Sequence, residues 1–173
     1  MIARRWIAVV LLALGWQLTA AAESGQAVIS GTSDGSSITG SASLKDTPDG
    51  LVVSVEINGA PPGQHGLHIH QFGACNDQGK AAGGHYNPDA APHGLLMKDG
   101  AGHAHAGDLG NIEIGADGRG RLESTAPGVT LASGPRSVGG RAIILHEKAD
   151  DFGQPTGNAG VRIGCGVIEV RSP

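Results

Sequence analysis

The spacing of the turn signals constrains this chain more than any other feature. Asp34-Gly35, Pro48-Asp49-Gly50, Pro61-Pro62-Gly63, Asp99-Gly100, Asp117-Gly118 and Gly139-Gly140 punctuate it, and such clusters mark turns because they supply positive φ or a preset φ. The runs between them read as strands over residues 27–31, 37–44, 51–58, 66–72, 109–114, 120–125, 141–147 and 164–170. No segment carries a helical period. Within 51–58, Leu51, Val53, Val55 and Ile57 fall on one face and Val52, Ser54 and Glu56 on the other, the period of two that a half-buried strand requires. About eight short strands joined by Gly-rich turns predict an all-β, antiparallel barrel or sandwich. Two stretches break the rhythm, 73–108 and 148–161, and loops of that length in a compact domain are usually functional.

The first 22 residues stand apart. Arg4 and Arg5 precede an apolar run over 6–16, which leads to Ala20-Ala21-Ala22, the pattern of a secretory signal peptide. The run is shorter than the roughly 20 apolar residues a spanning helix needs, so export is expected, to a periplasm or the exterior, with no membrane attachment once the signal is removed. Residues 23–173 are then one domain. That domain carries 10 basic and 16 acidic side chains, a formal charge of −6, which excludes binding of nucleic acid through counterion release. A phosphate cradle opening a helix is lacking, and the Gly-x-Ser-x-Gly match at residues 31–35 falls in a turn between two strand-like runs, not at the strand-to-helix elbow of a hydrolase. Leu, Ile, Val and Phe make up 30 of its 151 residues, near the roughly 20% that borders on disorder. A core this thin calls for staples. Cys75 and Cys165 are the only cysteines, and in an exported chain such a pair reads as a disulfide.

All eight histidines lie between positions 65 and 146. Alternation in 66–72 puts His68 and His70 on one face and Leu67 and Ile69 on the other, with the two imidazoles about 7 Å apart and parallel. His146 closes the apolar run over 142–145, in phase with Ile144. The first long loop adds His85, His93, His103, His105 and Asp108. Three nitrogens and a carboxylate suit tetrahedral zinc, whereas an all-imidazole site with an open position suits copper. These are more ligands than one four-coordinate site can use, so two adjacent metals are expected. His65 points away from His68 by alternation and reads as structural. His103, two residues before His105, is an alternative to it as ligand.

The segments His65-Gly66-Leu67-His68-Ile69-His70-Gln71-Phe72-Gly73, Gly84-His85-Tyr86-Asn87-Pro88, His105-Ala106-Gly107-Asp108-Leu109-Gly110-Asn111, His146-Glu147-Lys148-Ala149-Asp150-Asp151 and Gly157-Asn158-Ala159-Gly160-Val161-Arg162-Ile163-Gly164-Cys165 are similar, in order and spacing, to those of the copper/zinc superoxide dismutases. The resemblance implies a Greek-key barrel. It makes His68, His70, His85 and His146 the copper ligands and His85, His93, His105 and Asp108 the zinc ligands, with His85 shared as a bridging imidazolate. It implies that Asp150 links a copper ligand to a zinc ligand, that Arg162 docks the anion beside copper, and that Thr156 narrows the channel mouth. It further implies that superoxide is the substrate, converted to oxygen and hydrogen peroxide by alternating reduction and reoxidation of copper, with a proton carried by His85. Members of this family are often homodimers. The competing expectation is a non-enzymatic exported copper- or zinc-binding or chaperone-like protein, which loss of a copper ligand or of Arg162 would favour.

Overall fold

The computed structural model describes residues 23–171, and the expected signal peptide lies outside them. Nine strands follow in chain order: β1 Ser24–Gly31, β2 Thr39–Thr47, β3 Gly50–Asn58, β4 Gly63–His70, β5 Asp108–Ile114, β6 Arg119–Ala126, β7 Ala142–His146, β8 Arg162–Val167 and β9 Glu169–Arg171. Each expected run coincides with a strand, except that the last is divided at the buried Ile168. There the backbone turns aside to bond Gly140 and Arg141. All pairings are antiparallel, in the order β2-β3-β6-β5-β4-β7-β8-β1-β9, and β1 also pairs with β2. Eight strands therefore close into a barrel, and β9 continues the line of β8 along the same edge of β1. The β3–β6 and β4–β7 pairings between non-consecutive strands make the connections Greek-key. Closure removes the unpaired edges that an open sheet exposes.

Alternation decides which side chains fill the barrel. Leu51, Val53, Val55 and Ile57 are each 1% exposed or less, and each such burial is worth roughly 1.5–3 kcal/mol. On β7, Ile143 and Leu145 join this core, whereas Ala142 and Ile144 face outward into a small second cluster with Ala82 and Cys165. The same rule on β4 sends Leu67 and Ile69 inward. His68 pairs with Ile144 and His70 with Ala142, so both histidines stand on the barrel's outer wall.

Two connections cover that wall. Residues 71–107 join β4 to β5 and contain a 3-10 turn, Lys80–Ala82, and a one-turn helix, α1, Leu96–Asp99. Residues 147–161 join β7 to β8. The first loop lies down beside the end of β4 because Gly107 lets it: a Cβ there would fall 2.1 Å from the Ile69 carbonyl oxygen. Without one, Ile69 donates to Gly107 O at 2.8 Å, and Tyr86 donates to Ile69 O at 2.8 Å. That seats His85 opposite His70. Cys75 and Cys165 form the expected disulfide, which ties the same loop to β8. No helix among the described residues is long and apolar enough to cross a membrane.

Candidate metal centre

The histidines on the wall and those in the loop meet in two buried groups. His68, His70, His85 and His146 form one, and His85, His93, His105 and Asp108 the other. Within each, one ligand atom per residue lies within 4.8 Å of all the rest. His85 is common to both. Irregularities in the ladders help aim the rings: the β4–β5 register shifts between Gly66 and His68, and the β7–β8 register between Leu145 and His146. Such bulges re-aim side chains next to functional sites.

Hydrogen-bond partners dictate which nitrogen of each ring is free. His70 donates its Nδ1–H to the Gly83 carbonyl at 2.9 Å, and His146 donates its Nδ1–H to the Gly160 carbonyl at 3.2 Å. Their Nε2 atoms are left as lone pairs, 3.3 Å apart. His68 donates from Nε2 to Asp150 Oδ2 at 2.7 Å, and its buried Nδ1 has no partner. Three unprotonated nitrogens that converge in a buried space repel one another, and a cation between them removes that cost. Burial works the same way, pushing His70 down to about 2, with the charges of His85, Arg162 and His146 adding to it. It likewise lowers His146 to about 3, and His85 to about 4 against the opposing effect of the hydrogen bond that His85 donates to Asp108. Neutral imidazoles are the form in which histidine ligates metal.

The second group centres on Asp108. Its Oδ1 accepts from His85 Nδ1 at 2.9 Å and from His105 Nδ1 at 3.2 Å, while Oδ2 accepts from the backbone of Gly94 and His105. Burial would raise this carboxyl, but the bonds from His105 and His85, with the His93 imidazole close by, hold it far below the usual carboxylate range. His93 Nδ1 sits 2.8 Å from Asp108 Oδ2, yet makes no hydrogen bond, so the pair is close but misaligned. A donor set of three imidazoles and one carboxylate fits zinc. His103 is exposed and joins neither group. The 12 residues from His93 to His105 are taken up by α1 and the turn after it, which delivers His105 rather than His103. His65 is 3% exposed, with its ring nitrogens 2.8 Å from the carbonyl oxygens of His146 and Pro61.

Asp150 joins the groups. It takes His68 Nε2 on Oδ2 and His93 Nε2 on Oδ1, at 2.7 and 2.9 Å. Burial is outweighed by the bonds from His68 and His93, and the carboxyl lies well below its ordinary value. Its backbone is gripped in turn by Asn111 on β5, whose amide donates to Asp150 O at 2.9 Å and accepts from Asp150 N at 2.7 Å. Gly157, at φ +73, closes over the carboxylate, where a Cβ would fall 1.8 Å from Asp150 Oδ1. A pocket of about 210 Å³ opens on the first group, lined by Gly84, His85, His146, Thr156, Asn158, Ala159, Gly160 and Arg162. The Arg162 guanidinium is held on its rim by the carbonyls of Gly79 and Gly83. Asn111 and Gln154, which brace this site, carry no role in the sequence reading: each acts through hydrogen bonds to distant backbone, which leave no local pattern.

Barrel, donor sets and pocket together define an all-β protein with two adjoining metal positions on its outer wall. Residues 38–168 match the family model described as copper/zinc superoxide dismutase (SODC). The chain is 39% identical to the superoxide dismutase [Cu-Zn] of Deinococcus radiodurans, covering 92% of this chain and 93% of that one. It is 37% identical to the superoxide dismutase [Cu-Zn] of Onchocerca volvulus, over 79% of this chain and 91% of the relative. Among solved structures, the clock protein EA4 matches with a TM-score of 0.74 at 36% identity, covering 86% of this chain and 94% of that one. The chain belongs to the copper/zinc superoxide dismutase family. All four histidines of the first group and Arg162 are in place, which disfavours a binding protein without turnover.

Proposed function

We propose that the protein converts two superoxide anions and two protons to one oxygen and one hydrogen peroxide, with His68, His70, His85 and His146 holding copper and His85, His93, His105 and Asp108 holding zinc. The observation that carries this reading is the sharing of His85 by two buried donor sets at the foot of a pocket rimmed by Arg162. Copper, when bound, supplies the one-electron couple, and zinc a fixed second positive charge. The remaining work falls to side chains. In a domain of charge −6, a small anion needs a local positive spot, and Arg162 provides it on the pocket rim. Thr156 limits the width of the mouth. His85 lines this pocket, and with its Nδ1 turned to Asp108 its Nε2 would hold a proton and pass it to departing peroxide. Asp150 fixes the tautomers of His68 and His93 by taking both Nε2 protons, the role such carboxylates play around metal-bound histidines.

The two sets are separable by substitution. His146→Ala is expected to lose copper, keep zinc and lower turnover by more than a hundredfold, whereas His105→Ala is expected to lose zinc first. Metal analysis of each variant beside a superoxide decay assay checks this, and full turnover in His146→Ala contradicts it. Export, with cleavage after Ala22, completes the proposal. It is supported by the leader pattern in 1–22, by the Cys75–Cys165 disulfide, which suits an oxidising compartment, and by a Brugia pahangi relative, 36% identical over 80% of this chain and 72% of the relative, named extracellular superoxide dismutase.

A further inference from the structure

The backbone of His93 is gripped from the other loop. The Gln154 side chain accepts from His93 N at 3.0 Å and donates to His93 O at 2.8 Å, so one amide satisfies both main-chain groups of one residue. Two positions earlier, the Phe152 ring stacks on the His93 ring, with centroids 6.4 Å apart and planes inclined by 19°. Phe152 reaches that position with its backbone at φ 59, a conformation that costs free energy for a residue with a Cβ, and its N–H is spent on Asp150 Oδ1 at 2.8 Å. Asp150, Phe152 and Gln154 thus hold His93 by its ring edge, its ring face and its backbone.

We infer that Gln154 is a positioning residue for the zinc site: through the backbone of His93 it fixes the direction in which that ring's Nδ1 points. This inference rests on the assignment of His93 to zinc. His93 otherwise sits in an irregular stretch of the 71–107 loop, where Asp108, Asp150 and Phe152 touch its ring but not its backbone. A ligand whose backbone can drift binds its ion more weakly, because the ordering it then undergoes opposes binding. Gln154 also lies two residues before Thr156 on the pocket rim, so the same clip joins the zinc loop to the segment that borders the substrate mouth.

The test uses the full protein carrying copper, with Co(II) or zinc in the second set. Gln154→Met, which keeps the length and removes both bonds, is expected to speed transfer of zinc to a chelator by about tenfold, the lower end of the effect seen when supporting partners of metal ligands are removed. It is also expected to shift the visible band of the Co(II) form and to accelerate hydrogen exchange at the His93 amide, while the copper spectrum stays that of the wild type. Gln154→Glu keeps the acceptor and loses the donor, so intermediate behaviour is expected. Chelator transfer and a Co(II) band equal to wild type in Gln154→Met overturn the role of Gln154. A wild-type protein that shows no Co(II) band overturns the zinc assignment itself, and the inference with it.

Discussion

Single residues in this site are held in opposite charge states by their surroundings. In the metal-free protein His93 lies between two carboxylates, and although burial opposes its charge, Asp108 and Asp150 raise it to about 9. The stability this gives is fully present below the ordinary 6.5 and is lost as pH rises from there through about 9. His70, His85 and His146 are lowered to about 2, 4 and 3, so the unfolded chain takes up protons first as pH falls below 6.5, and stability declines on that side too. The metal-free protein is therefore expected to be most stable near pH 6.5. Thermal melts at graded pH check this, and a melting temperature that climbs from 6.5 to 9 contradicts it. The residues with this chemistry were legible in the sequence, because strand alternation and the order of the motifs point to His68, His70, His146 and Asp108. The braces were not. Asn111 reaches a partner 39 positions away and Gln154 one 61 positions away, and neither bond imposes a periodicity.

At the scale of elements, turn residues and alternation were enough to locate the strands, since a strand's two faces write a period of two into the chain. They were not enough for α1, whose four residues are fewer than two helical turns, nor for the break at Ile168, which follows from backbone bonds to the neighbouring loop. A third long connection, 127–141, places Val129, Leu131 and Val138 in the barrel core. Its apolar residues are too widely spaced to show either period. The 71–107 loop depends on its covalent tie. Cys75 anchors the stretch whose Gly79 and Gly83 carbonyls hold Arg162, and Gly83 O also fixes His70. Replacing both cysteines by Ser opens a loop of 90 residues, for which chain entropy sets a loss of about 4–5 kcal/mol. Turnover is expected to fall as well, since Arg162 loses its seat. Denaturant unfolding beside the decay assay measures both, and a midpoint and rate equal to wild type contradict the account.

Over the whole molecule, a closed barrel lets a chain with few large apolar residues bury them well, and places the chemistry outside that core rather than within it. Leu67 and Ile69 serve the interior, while His68 and His70, one residue away along the same strand, serve the site. The two loops then roof the histidines, joined to each other through Asp150, His93 and Gln154. Residues 152–161 carry no charged side chain, and among the pocket's lining residues the permanent positive charge is that of Arg162. This arrangement turns over superoxide at a copper and zinc pair. Metal analysis of purified residues 23–173, combined with superoxide decay followed on the same sample, tests it most directly. About one copper and one zinc per chain with rapid decay is the expected result, and both metals bound with decay no faster than in buffer would contradict it.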